Sequence, residues 1–227
     1  MFKEFVTAVP MQIKNKDAQQ VLLQWFDDLS ERGVYGKEEN NKPPKRLNGR
    51  AWRAELKRVD PPWGAMMCEG FVILRQRLSE HMTLTPVQLM ALALFASVAA
   101  HVKKYSSTAK NSEETEQEEK TEEKEQKVIS FAAQLGQKLK GDRPCVSKIR
   151  FERILKANDP AVLCNLLIRA VKIRGNAGVN LVSLADGIFM WVEEWHRRVE
   201  HQPETGSPYE RIHIRWANEY LSTLLIK

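Results

Sequence analysis

Apolar positions along this chain recur mostly at three- and four-residue spacing, and the elements they predict are helices. Residues 18–30 carry Val21, Leu22, Trp25, Phe26 and Leu29, an i, i+1, i+4, i+5, i+8 stripe on one helical face. Residues 64–81 form another candidate helix, with Met67, Phe71, Leu74 and Leu78 inward. Thr85, Pro86 and Gln88 open the next one: Thr85 is the N-cap, Pro86 takes the first helical position, and Gln88 completes a capping box. That helix runs to about residue 104. It is apolar nearly all round, which predicts a place at the centre of a bundle. Its most apolar run, residues 89–100, is twelve residues long, against the roughly 20 a membrane span needs.

Further helices are expected at 128–139, 147–157, 160–174, 181–199 and 208–225. Asp159 before Pro160, and Ser207, Pro208 and Glu210 as a capping box, supply start signals. No segment has a convincing period-2 alternation, so no strand is expected. Residues 33–48, rich in Gly, Asn, Lys and Pro, read as an exposed basic loop. Residues 106–127 lack apolar anchors and read as a linker or solvated insertion. No repeat of fixed period is present. The expected fold is all-α: two helical-bundle lobes, 1–105 and 128–227, joined by an acidic, flexible insertion at 106–127.

Composition sharpens this picture. With 227 residues, 43% of them hydrophobic, the chain can bury a core. The net charge is +6 and the pI about 9.2. Residues 112–127 hold eight glutamates against three lysines, a net of −5, so the rest of the chain carries +11 against the total of +6. A basic balance favours an acidic partner such as nucleic acid or an anionic membrane surface. Cys68, Cys145 and Cys164 are odd in number, far apart and without a C-x-x-C pair. They read as reduced thiols of a cytoplasmic protein. The first residues contain no long apolar run, so no signal peptide is expected.

The charge concentrates in residues 46–59, RLNGRAWRAELKRV, where Arg46, Arg50, Arg53, Lys57 and Arg58 face a single acid, Glu55. A solvated helix usually mixes its signs, because opposite charges at i,i+4 support each other. At 100° per residue Arg50, Arg53 and Lys57 fall within about 60°, while Trp52, Leu56 and Val59 occupy another face. The helix can therefore bury one stripe and present a cationic one about 10 Å long, the scale of a few backbone phosphates. Lys42, Lys45 and Arg46 extend the charge into the preceding loop. The second half has a weaker echo: Lys148, Arg150, Arg153 and Lys156 around one helix, Arg169 and Lys172 beside Asn165 on the next. Arg143, Arg174, Arg197 and Arg198 lie near helix ends. Together they allow a basic groove over both lobes. A solvated surface is the plain alternative for each of these residues taken singly.

Catalytic signatures are missing. There is no P-loop, G-x-G-x-x-G or G-x-S-x-G, and none of the five histidines, His81, His101, His196, His201 and His213, makes an H-x-x-x-H pair. Glu193, Glu194 and His196 read as surface helix residues, and Asp27 with Asp28 is too little for a two-metal nuclease. No enzyme activity, metal or cofactor is expected. Trp25, Trp52, Trp191 and Trp216 sit among apolar neighbours and read as core, and Trp63 reads as the surface of a turn. Without base-stacking aromatics, binding would be to backbone phosphates and weakly sequence-dependent.

The segment from Gly49 to Arg58, GRAWRAELKR, resembles the Gly-x-Arg-Ala-x-Leu-Arg-Arg type of motif near the start of CasB proteins, the small subunits of the type I-E CRISPR Cascade complex. VSKIRFERIL from Val146, the leucine-rich helix after Asp159, and NLVSLADGIFMWV from Asn180 are similar to the later family segments in the same order. The resemblance covers roughly 20–105 and 128–225. It does not extend to 112–127 or 199–207, which look like insertions.

The resemblance implies an all-α, two-lobed, non-catalytic subunit that packs in tandem copies within a guide-RNA complex. Its partners would be the target and displaced DNA strands, the guide RNA complex and other Cascade subunits, and its role would be to stabilise the R-loop in antiviral defence. Carried onto this chain, Arg50, Arg53, Lys57 and Arg58 become phosphate-contact candidates, followed by Arg150 and Arg153. Lys45, Arg46, Arg143, Lys148, Arg169 and Lys172 complete the candidate surface. Two rivals stand beside it. A helical scaffold would bind acidic proteins and no nucleic acid. A nuclease would need magnesium and an essential acid, and no acid recommends itself.

Overall fold

The computed structural model describes residues 13, 15–35, 45–107, 128–139, 141–203 and 206–225. The acidic stretch 112–127 and Lys42 lie outside them. The described residues form an all-α protein with one small β-ribbon. The first helix, α1 (Lys16–Asp28), begins where the Asn15 side chain accepts from the Asp17 amide at 2.9 Å, and it buries Leu22, Trp25 and Phe26, with Leu29 buried just beyond its end. Helix α2 (Gly49–Arg58) buries Trp52 and Leu56. Between them, strands β1 (Arg32–Tyr35) and β2 (Lys45–Asn48) pair antiparallel, with Arg32 opposite Asn48 and Tyr35 opposite Lys45.

This ribbon departs from the expected basic loop. The strands are four residues long, too short to display a period, and tertiary contact sets their course. Gly49 lies against the Asp28 carbonyl with no room for a Cβ. The end of α1 and the start of α2 are thereby brought together, so the chain leaving one and entering the other runs side by side.

The expected helix at 64–81 is divided into a 3-10 turn (Trp63–Met67) and α3 (Glu69–Ser79) by Cys68, which is extended and fully buried. Helix α4 (Pro86–Ala99) has the expected capping box, Thr85 N donating to Gln88 Oε1 at 3.1 Å and Gln88 N to Thr85 Oγ1 at 3.2 Å. It is buried on every side from Met90 to Ala99. It stops short of residue 104 because the chain then extends towards the second half. Tyr105 pairs with Val179 in a parallel bridge, held by Val179 N to Lys104 O at 2.9 Å and Ser106 N to Val179 O at 3.0 Å.

The second half comprises α5 (Phe131–Gly136), α6 (Lys148–Leu155), α7 (Pro160–Arg174), α8 (Leu181–Val199) and α9 (Ile212–Leu225). Asp159 caps α7 through the amides of Ala161 and Val162, and Asn180 caps α8 through Ser183. The Ser207 capping box forms on a 3-10 turn (Pro208–Glu210), and extended Arg211 separates that turn from α9. Helix α5 starts later than expected because Ile129 lies outside it, its amide donating to Ser107 O at 2.9 Å, and Ser130 is the N-cap. Helix α4 packs against α7 and α8 as well as α2 and α3, and α5 packs along α9. The apolar interiors of the two halves therefore form one continuous cluster.

A buried polar knot ties the chain on either side of the acidic stretch. Gln134, fully buried, donates from Nε2 to Ser106 O at 2.7 Å and accepts from the Asn180 amide at 2.7 Å. Asn180 Nδ2 donates to Ile129 O at 2.8 Å. Arg174 Nε donates to Gly178 O at 2.6 Å, and its Nη1 donates to Gln134 O. Removing the guanidinium strands two buried carbonyls, each worth about 1–3 kcal/mol. Arg174→Met is therefore expected to destabilise by about 3 kcal/mol. In a chain of this size that lowers the midpoint of thermal unfolding by roughly 6–12 °C, and circular dichroism would record it. An unchanged midpoint would contradict this role for the knot.

Candidate nucleic-acid interface

Helix α2 splits its faces as its charge pattern requires. Trp52 and Leu56 are buried, Val59 is half-buried, and Arg50, Lys57 and Arg58 are exposed. The Asn48 side chain accepts from the Ala51 amide at 3.3 Å and starts the helix on the close-packed Gly49. Lys57 and Arg58 fall in its last turn, where cations also suit the helix dipole. Arg50 remains exposed but ties back to the end of α1, Nε donating to Ser30 O at 3.1 Å. The backbones of Lys45 and Arg46 lie in β2, opposite Tyr35 and Val34.

Arg53 departs from the expected outward stripe. It is half-buried, with its guanidinium 5.2 Å from the Phe26 ring centroid and Nη2 donating to Val102 O at 3.3 Å. Its Nε is buried without a hydrogen-bond partner among the described residues. Burial pushes its ionisation below the ordinary arginine value. Arg53 thus fastens α2 to the C-terminal end of α4 while keeping its charge near the surface.

At that same end the two halves of the chain meet electrostatically. Helix α7 packs against α4 and presents Arg169 and Lys172 to solvent, with Asn165 exposed on the same side. The pKa of Lys57 is lowered by burial and then by the charges of Arg53 and Lys172. His101, half-buried two residues beyond the end of α4, is pushed down to about 4 by burial, then by Lys172, Lys57 and Arg53. The charged groups acting on this imidazole are all cations. Arg53 and Lys57 from α2 and Lys172 from α7 therefore form one positive cluster around His101, which sequence reasoning passed over as an isolated histidine. The available signal was position: His101 is the first ionisable residue after the apolar run and is followed by Lys103 and Lys104, both exposed.

The other candidates lie outside this cluster. Lys148, Arg150, Arg153 and Lys156 are exposed on and just after α6, whose Phe151 and Ile154 are buried, with Phe151 stacked 4.0 Å from Tyr220. Arg143 is exposed before α6. Arg198 is exposed and Arg197 half-buried near the end of α8. Arg174, counted from sequence among the groove cations, is instead buried in the polar knot, its charge turned to backbone carbonyls.

The residues weighed for chemistry have structural work. Asp28 pairs with Arg77 at 2.6 Å, and Glu194 Oε1 accepts the Ile212 amide at 2.8 Å at the start of α9. Among the described residues no group of three or more His, Cys, Asp and Glu side chains could hold a metal ion. Burial pushes Cys68 up to about 11 and Cys164 up to about 12, which leaves both thiols unreactive near neutrality. Trp25, Trp52, Trp191 and Trp216 are buried, Trp195 is half-buried and Trp63 is 48% exposed in its turn.

The His101 environment has a pH signature. Its folded value of about 4 lies below the ordinary 6.5 it regains on unfolding. Between those values the unfolded chain binds the extra proton, so stability falls as pH drops from about 6.5 towards 4. A series of unfolding midpoints against pH should show this decline, and His101→Gln should flatten it. Superimposable profiles for variant and wild type would contradict the lowered ionisation of His101.

The family model described as CRISPR-associated protein Cse2 matches residues 52–221. The match starts in α2 and ends in α9. It takes in Arg53, Lys57, His101 and Lys172 and leaves out Lys45, Arg46 and Arg50. No curated protein and no solved structure matches the chain. Among the described residues no helix is long and apolar enough to cross a membrane. With the family match running through the helices that carry the cationic cluster, the chain belongs to the CRISPR-associated Cse2 (CasB) family of type I-E Cascade small subunits.

Proposed function

We propose that this Cascade subunit is a non-catalytic nucleic-acid-binding protein that holds target DNA and the displaced strand through its basic surface and so stabilises the R-loop in antiviral defence. The observation that carries the reading is the cluster at the end of α4, where Arg53 and Lys172 act on Lys57 and all three act on His101, with no carboxylate among the influences. Like charges pressed together across a fold are unfavourable in the free protein, and a polyanion relieves them. Each phosphate neutralised also releases condensed counterions. Arg169 on α7 extends the cluster, while Arg50 and Arg58 extend the surface of α2 that carries Lys57.

Exchange of a DNA duplex for a guide–target duplex is nearly balanced in free energy, so a few backbone contacts suffice to shift it. The same surface needs no catalytic group and no base-reading residue, because phosphate contacts position a strand without reading it.

Lys57 and Lys172 are the residues to remove, since both are exposed, whereas Arg53 also anchors α2 to α4. Lys57→Ala with Lys172→Ala should leave thermal unfolding within a few degrees of wild type. The double variant should weaken binding of a labelled strand at low salt by roughly tenfold or more. In the reconstituted guide-RNA complex it should shorten R-loop lifetime. Unchanged affinity and R-loop lifetime in the folded double variant would refute the site. Failure of the wild type to bind nucleic acid, alone or in the complex, would favour a scaffold for acidic proteins.

A further inference from the structure

The segment that leaves α4 is pinned to elements from both halves of the chain. On one side Arg53 Nη2, from α2, donates to the carbonyl of the buried Val102 at 3.3 Å. On the other, the Val179 amide donates to the Lys104 carbonyl at 2.9 Å, and the Ser106 amide donates to the Val179 carbonyl at 3.0 Å. Val179 follows α7 by a short turn that the last residue of α7 holds, Arg174 Nε donating to Gly178 O at 2.6 Å. Gly178, at φ +81°, lies close against the same segment. A Cβ added there would stand 2.7 Å from Ser106 Cβ and 3.1 Å from the Lys104 carbonyl oxygen. The two anchors bracket Lys103 and Lys104, both exposed.

Each anchor leads to a helix with exposed cations in its last turn, Lys57 and Arg58 on α2 and Lys172 on α7. Residues 99–107 contain no acid, and neither does α7. The backbone at 102–106 is fixed before any ligand arrives, so two ammonium groups are held at this joint without a further cost of ordering the chain. A lysine is a point charge on a flexible stem, which suits contact with a phosphate and reads no base. We propose that Lys103 and Lys104 are phosphate-contact residues, and that the pinned segment 102–106 joins the cations of α2 and α7 into one track for a continuous nucleic-acid strand. The proposal rests on the nucleic-acid-binding reading above and adds to it the two residues over which the strand crosses between the halves. The plain alternative is a pair of solvated lysines, which would add nothing to binding.

The test is fluorescence anisotropy of a labelled single strand across a salt series. It compares the wild type with the Lys103→Gln, Lys104→Gln double variant and with Lys103→Arg, Lys104→Arg. The bonds that pin the segment are made by backbone groups of Val102, Lys104 and Ser106, so thermal unfolding of both variants should stay within a few degrees of wild type. The glutamine variant should lose roughly tenfold in affinity at low salt, and its line of log association constant against log salt should be shallower by about one to two units. The arginine variant keeps both charges and should bind within a few-fold of wild type. Amine acylation read by mass spectrometry reports the contact without any variant. A bound strand should lower the labelling of Lys103 and Lys104 several-fold relative to the free protein.

Parallel salt lines for the wild type and the folded glutamine variant, or equal acylation of both lysines with and without the strand, would overturn the joint. With salt-dependent binding by the wild type retained, either result would leave the basic surface of α2 and α7 standing. Absence of binding by the wild type at every salt concentration, alone and in the guide-RNA complex, would overturn both together.

Discussion

From Met90 to Ala99 every residue of helix α4 is buried, and a helix without a polar face must be enclosed by other elements. The first half supplies α2, α3 and the turn at Trp63–Met67, and the second supplies α7 and α8. Each large side chain enclosed contributes on the order of 1.5–3 kcal/mol. Neither half can cover α4 alone, so what the sequence divides at an acidic stretch is joined in space around one helix. The end of that helix is consequently a fixed meeting point, and the charges of α2 and α7 are brought to it by the burial of α4.

The electrostatics at the meeting point follow from this arrangement. Arg53 is turned partly inward, over Phe26 and onto the Val102 carbonyl, and its charge stays close to Lys57 and His101. In the free protein the repulsion is limited by keeping His101 neutral and by solvent around the exposed Lys57 and Lys172. A surface of this kind is stable without a ligand and more favourable with an anionic one. Under the proposed function, that asymmetry, and not a base-reading motif, is what would bias a balanced strand exchange.

The local parts of the fold were legible in the sequence. The stripe Leu22, Trp25, Phe26, the capping box of Thr85 and Gln88, and the Asp159 cap depend on neighbours within a few residues, and each appears in place. The parts that escaped depend on distant partners. The β-ribbon follows from α1 and α2 meeting at Gly49, and the break at Cys68 from its burial in the core. Arginine is usually read as surface, yet Arg174 is buried by carbonyls of Gly178 and Gln134 and Arg53 is drawn in by Phe26 and Val102. The candidate site was legible in the same measure: the cation-rich α2 declared itself, while its junction with Lys172 and the place of His101 arise only when α4 is enclosed.

The central claim is that Lys57 and Lys172, far apart in sequence, serve one strand. Its most direct measurement is the slope of log association constant against log salt for DNA binding by the wild type and by the Lys57→Ala, Lys172→Ala double variant. The account predicts a steep wild-type line and a variant line shallower by about one to two units, as expected when two phosphate contacts and their counterions are lost. Parallel lines for the two proteins would contradict it.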